Sequence, residues 1–222
     1  ETIAKELYRV TKPGGVVVWV VGDATINGSE TGTSFRQALY FKEIGFNLHD
    51  TMIYEKLNPM PGQMPRYQQG FEYMFVFSVG LPTTFIPIKE QSRQIGKKQN
   101  GNYRQSVGGM KERFHHNHLT QEEKKISNVW GYYCGGSHNT NDDIYEHPAT
   151  FPEALARDHI LSWSNPGDTV LDPFLGSGTT IKMAVLYDRN GIGIEIEPEY
   201  MAIAERRIKD AQQQMRLPME VN

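Results

Sequence analysis

Thr169-Val170-Leu171-Asp172-Pro173-Phe174-Leu175-Gly176-Ser177-Gly178-Thr179-Thr180 is the stretch on which the reading of this chain turns. Thr169 to Leu171 predicts a short strand, Asp172 to Gly178 a glycine-containing turn, and Ile181 to Tyr187 the helix that follows. Gly191 to Ile196 predicts a second strand, reaching the acidic Glu195 and Glu197 about 20 positions after the turn. This order of strand, Gly-x-Gly turn, helix and acid-ended strand suits a nucleotide-type ligand at the carboxyl edge of a parallel sheet. Gly176 and Gly178 allow positive φ and let backbone N–H groups approach a ligand. Glu195 is the expected acceptor for two ribose hydroxyls, with Glu197 second, and Ile196 between them can pack on an adenine face. For a Gly-x-Gly standing alone, a tight turn without a ligand is the alternative. A dinucleotide is not expected, because Ile181 stands at the third glycine of that fingerprint. No Gly-Lys-Ser/Thr occurs, so there is no P-loop either.

Outward from this unit, Glu199 to Met215 predicts a long final helix. Phe151-Pro152 leads into a helix carrying Leu155, Ile160, Leu161 and Trp163, closed by the Asn165-Pro166-Gly167-Asp168 turn. Near the start, Ile3 to Val10 has helical spacing and Pro13-Gly14-Gly15 breaks it. Val16 to Val21 is apolar without alternation, the pattern of a strand buried on both faces, and so predicts a parallel sheet. Gly28 to Gly32 reads as loop, Ser34 to Ile44 as a helix, and Phe46 to Glu55 and Phe71 to Val79 as strands. Those two strands are joined by a Pro/Gly/Met-rich loop, Asn58 to Tyr67. Alternating helices and strands predict a three-layer α/β sandwich. From Leu81 to Glu146 periodicity fails, as in a functional insertion.

Composition narrows the function classes. Of 222 residues, 38% are hydrophobic and 22% charged, a globular balance. The single cysteine, Cys134, excludes an internal disulfide framework and fits a reducing cytoplasm. The longest apolar run is the six-residue Val16–Val21, against the roughly 20 that a bilayer needs, so no membrane partner is expected. No charged-then-apolar leader opens the chain; it begins at Glu1 inside a predicted helix, which reads as a truncation. Net charge is −3, yet Lys89 to Lys125 holds nine basic residues against four acidic ones. That stretch carries +5 on a body of −8, the footprint of a local polyanion contact. His115, His116, His118, Cys134 and His138 invite a zinc reading, but one cysteine makes a tetrahedral site unusual and no metal is expected.

The Asp172 to Thr180 run resembles the cofactor motif of amino-methylating DNA methyltransferases, which act on adenine N6 or cytosine N4. Two flanking pieces agree in order. His147-Pro148-Ala149-Thr150-Phe151-Pro152 resembles the segment that holds the methionine end of the cofactor. Gly193-Ile194-Glu195-Ile196-Glu197-Pro198-Glu199-Tyr200 resembles the ribose-binding strand end. Leu7 to Gly15, followed by an apolar strand, is common to many methyltransferases.

The resemblance implies a Rossmann-like three-layer methyltransferase sandwich, incomplete at its N-terminus, with an irregular target-recognition insertion. It divides the chain into a catalytic-side half (1–80), the insertion (81–146) and a cofactor half (147–222). It implies S-adenosylmethionine as cofactor, held by His147, Pro148, Phe151, Asp172, Pro173, Phe174, Gly176, Gly178, Thr179, Thr180, Glu195, Ile196 and Glu197. Double-stranded DNA is the implied partner, with Arg104, Lys111 and Arg113 as candidate contacts, and a restriction-modification setting is expected. The family's catalytic motif, Asp/Asn/Ser-Pro-Pro-aromatic, does not occur in the 222 residues; in the family's β-type motif order it would lie upstream of Glu1. No catalytic residue is therefore assigned in this chain. A missing strand would expose a sheet edge, so self-association through that edge or a dimer interface is expected. A non-catalytic DNA- or cofactor-binding remnant of such an enzyme is the alternative, and an RNA or protein methyltransferase is a third reading.

Overall fold

Turn residues and apolar periods cut the chain into short elements, and the computed structural model describes them over residues 1–62, 65–92, 103–104, 110–111, 122–134 and 151–214, with 103–104, 110–111 and 214 as backbone alone. They are α1 (Thr2–Val10), β1 (Val16–Val21), β2 (Thr25–Ile26), β3 (Ser29–Glu30), α2 (Thr33–Glu43), β4 (Asn47–Lys56) and β5 (Phe71–Ser78). Then come β6 (Lys89–Gln91), β7 (Tyr103–Arg104), β8 (Met110–Lys111), β9 (Glu123–Lys125) and β10 (Val129–Tyr132). The last are α3 (Glu153–Trp163), β11 (Thr169–Asp172), α4 (Thr179–Leu186), β12 (Asn190–Gly193) and α5 (Pro198–Gln214). Two compact units result: residues 1–86 with 128–222, and residues 87–127.

In the larger unit the main sheet has the order β1-β5-β4-β10. β5 is antiparallel to β1 and β4, and β10 is parallel to β4. β11 and β12 form a separate parallel pair. Alternate residues of β1 (Val17, Trp19, Val21) pack with Phe75 and Phe77 of β5 beneath α1 and α2, which contribute Ala4, Leu7, Ala38 and Phe41. Phe41 stacks on Phe77 at 4.5 Å. Around the parallel pair, α3 and α4 pack through Ala156, Ile160, Met183 and Ala184, while Leu175, Ile181 and Ala204 join α4 to α5.

β1 and β11 share no backbone hydrogen bond, yet side chains join them at both ends. Lys12 Nζ meets Asp168 Oδ1 at 3.0 Å before the strands begin, and the rings of Trp19 and Phe174 lie 6.0 Å apart near their ends. The two strands therefore run the same way, and their carboxyl ends reach one common edge. β4 is antiparallel to β5 as β1 is, so β4 ends at that edge too.

Three sequence expectations are corrected. Val16–Val21 is an edge strand paired antiparallel to β5, and its residues are half-buried, Val20 exposed. An unalternating apolar run reports apolar neighbours on both faces; it does not fix the direction of pairing. The stretch read as loop at Gly28 to Gly32 begins inside a hairpin, in which β2 and β3 pair around Asn27-Gly28, both at positive φ (50° and 78°). β12 ends at Gly193 rather than Ile196, and the chain bends through 194–197.

In the smaller unit β6 pairs with β9 and β7 with β8, both antiparallel. Lys89 pairs with Glu123 (3.2 Å) and Lys124 with Glu90 (2.9 Å) across β6 and β9.

Candidate functional site

The turn after β11 is shaped by its own side chains. The Asp172 carboxylate accepts the Phe174 N–H at 3.0 Å. The Ile194 N–H donates to the Asp172 carbonyl (3.0 Å) and the Leu175 N–H to the Ile194 carbonyl (2.9 Å), so the two chain segments stay together beyond the last strand residues. Gly176 and Gly178 have φ of 51° and 83°, values that L side chains rarely adopt. Gly178 caps α4, and a Cβ on it would lie 2.9 Å from that of Ala204. The site thus needs glycine there twice over, for φ and for space.

Glu195 ties this turn to the bend after β12. Its Oε2 accepts the Gly176 N–H at 2.7 Å, and its Oε1 accepts the N–H groups of Ile196 (2.9 Å) and Glu197 (3.0 Å). The carboxylate is half-buried, whereas Glu197 is exposed. Phe174 (58% exposed) and Ile196 (86%) present apolar surface beside these polar groups. Thr179 is buried, and Thr180 and Pro173 are half-buried. Phe151 packs against the α3–α4 cluster. His147, Pro148 and Arg113 lie outside the described residues, as do the zinc candidates His115, His116, His118 and His138. The backbones of Arg104 and Lys111 lie on the paired strands β7 and β8, in register with Met110 and Tyr103 respectively.

Arg207 of α5 supports the turn from behind and was not legible as a site residue. It is 3% exposed. Its Nη1 donates to the Ser177 carbonyl (2.6 Å), the Ser177 hydroxyl (2.8 Å) and Thr179 Oγ1 (3.2 Å). Its Nη2 donates to Glu153 Oε1 at 2.8 Å, and Lys182 Nζ reaches the same oxygen at 2.7 Å. One signal could have found it: Ile203, Ala204, Arg207 and Ala211 are the buried side of α5, so a guanidinium sits on an otherwise apolar helical stripe.

At the common edge, Gly22-Asp23 follows β1. The Asp23 carboxylate accepts the Thr31 hydroxyl (3.0 Å), the Thr33 hydroxyl (2.8 Å), the Ser34 N–H (3.1 Å) and the Ser34 hydroxyl. The Ser34 hydroxyl above all, with its N–H and the two threonines, holds the Asp23 carboxyl well below the usual carboxylate range.

A sequence model of the family described as DNA methylase matches residues 1–206. This chain belongs to the DNA methylase family. The methylase is 56% identical to the orphan methyltransferase M.BamHII of Bacillus amyloliquefaciens, over 95% of this chain and 80% of that protein. It is 32% identical to the type II methyltransferase M.MjaI of Methanocaldococcus jannaschii, over 98% of this chain and 68% of that one. Among solved structures, the methylase superposes on the cytosine-N4-specific PvuII DNA methyltransferase with a TM-score of 0.70, at 20% identity, covering 96% of this chain and 74% of that one. The M1.HpyAVI–SAM complex gives 0.60 at 24% identity, covering 92% and 79%. These likenesses show the shared Rossmann-like methyltransferase fold.

Proposed function

We propose that the methylase holds S-adenosylmethionine against the β11–α4 turn and the bend after β12, for methyl transfer to an exocyclic amine of duplex DNA, adenine N6 or cytosine N4. The carrying observation is the Glu195 carboxylate bonded to the Gly176 N–H at 2.7 Å, which joins the glycine turn and the acidic bend into one surface. Exposed Phe174 and Ile196 beside it suit a ligand with a flat apolar ring and ribose hydroxyls. Glu195 and Glu197 accept the hydroxyls, Ile196 packs on the adenine, and Asp172, Pro173, Phe174, Gly176, Gly178, Thr179 and Thr180 wall the remainder. His147, Pro148 and Phe151 receive the methionine end. When bound, the cofactor supplies a methyl group made electrophilic by its sulfonium.

DNA is drawn by the basic 89–125 stretch, with Arg104, Lys111 and Arg113 meeting phosphates. The acceptor amine has its lone pair delocalised into the base, so acceptors for its N–H hydrogens are required as it attacks. The 222 residues hold no Asp/Asn/Ser-Pro-Pro-aromatic run to supply them. β1 and β11 run parallel, each with one edge that no strand pairs among the described residues. We propose that a strand and the acceptor motif come from polypeptide outside these residues.

The test is methyl transfer from labelled S-adenosylmethionine to mixed-sequence duplex DNA, with product nucleosides identified by mass. N6-methyladenine or N4-methylcytosine after a motif-bearing segment is supplied supports the proposal. Equal product from the 222 residues alone refutes the need for that segment. Cofactor binding without transfer under either condition favours the remnant reading.

A further inference from the structure

The hairpin at the common edge is more firmly held than its six residues require. β2 and β3 pair as Thr25↔Glu30 and Ile26↔Ser29, and the Thr31 N–H closes onto the Ala24 carbonyl at 2.9 Å. Asp23 fixes the chain on the hairpin's far side through Thr31, Thr33 and Ser34. From the 57–70 loop, Arg66 reaches the Gly28 carbonyl at the hairpin tip and Glu30 Oε1. All of this holds in place a hairpin whose strand residues are exposed, Ile26 at 60%. The bracing loop leaves β4 at the same edge and carries Met60 at 82% and Tyr67 at 100% exposure. At the hairpin's root lies a cleft of about 90 Å³, lined by Asp23, Glu30, Phe35, Gln69, Phe71 and Tyr73.

A braced apolar side chain held beside a ligand edge suits one task of a DNA-modifying protein. Chemistry on a base requires it to leave the stack, and apolar wedges hold the opened step apart. We infer that the Thr25–Glu30 hairpin is a DNA-opening element, with Ile26 entering the base step and Arg66 bracing the tip against the load. Duplex DNA is the committed occupant, because this edge also carries the turn proposed for the cofactor. The inference rests on the DNA-methylating reading above.

The experiment is fluorescence anisotropy of the 222-residue chain at one fixed salt concentration, on a perfect duplex and on the same duplex with one abasic site. A wedge meets less resistance at the abasic site, so the wild-type chain should bind that duplex about tenfold tighter. Ile26→Asp should bring the ratio to about one, and Ile26→Phe should retain the preference. Unchanged far-UV circular dichroism and thermal midpoint establish that Ile26→Asp is folded. A preference unaltered by Ile26→Asp, or wild-type binding without preference, overturns the wedge alone. No binding of either duplex overturns the DNA reading with it.

Discussion

Replacing Arg207 by Met keeps much of the side-chain length and removes the guanidinium. Three of its contacts hold the Ser177–Thr179 turn and the fourth meets Glu153. Breaking a buried ion pair from one side costs about 3–5 kcal/mol, because the other charge is left unpaired. Here Glu153 keeps Lys182 at 2.7 Å, so no carboxylate is stranded, and the loss is the donors to the turn. Hydrogen bonds from a charged donor are worth about 1.5–3 kcal/mol each and do not add fully, which puts Arg207→Met at about 2–4 kcal/mol. For a chain of this size that lowers the thermal midpoint by about 10 °C. A turn no longer held from behind should also bind S-adenosylmethionine about tenfold more weakly. Circular dichroism melting and titration calorimetry below the variant's midpoint read the two effects separately. Arg207→Lys keeps one point charge and should recover part of the stability but little of the affinity. A variant melting within about 2 °C of wild type, with unchanged affinity, would show that Arg207 does not hold the turn.

Gly178→Ala should destabilise by about 1–3 kcal/mol, from φ of 83° and the 2.9 Å approach to Ala204, and should lose cofactor binding; denaturant titration and calorimetry check both. Burial pulls His159, which lies 3.2 Å from Met74 Sδ and against Trp130, down to about 4. Between pH 6.5 and 4 the unfolded chain then binds a proton that the folded chain refuses, so stability falls by about 3 kcal/mol as pH drops through that window and is level above it. His159→Gln should flatten that slope in denaturant titrations at several pH values. Asp23→Ala removes four acceptor contacts and should make the amides of residues 25–31 exchange hydrogen faster than wild type, while those of β5 stay unchanged.

Local chemistry was legible in the sequence, and distant partners were not. Gly176 and Gly178 announce a turn because only glycine accepts such φ readily, and the helix they open begins within two residues of its expected start. β4 and β5 were readable from apolar periods to within a residue at each end. The pairing of β1 was not, since it depends on β5, which lies some 50 residues away in sequence. The β2–β3 hairpin escaped because Asn27-Gly28 is flanked by Thr25-Ile26 and Ser29-Glu30, in which Ile26 is the one apolar residue and no alternation can be seen. Glu195 was readable as the acid near a strand end, but its bond back to Gly176 spans 19 residues and needs the folded turn to exist.

The β11–α4 turn and the Glu195 bend are proposed to form one cofactor surface. Its most direct test is equilibrium binding of S-adenosylmethionine to the 222-residue chain by calorimetry, wild type against Glu195→Ala. One site is expected in the wild-type chain, with affinity reduced at least about tenfold in the variant, through lost hydroxyl acceptors and a loosened turn. Absence of wild-type binding, or equal binding by a folded Glu195→Ala chain, would contradict it.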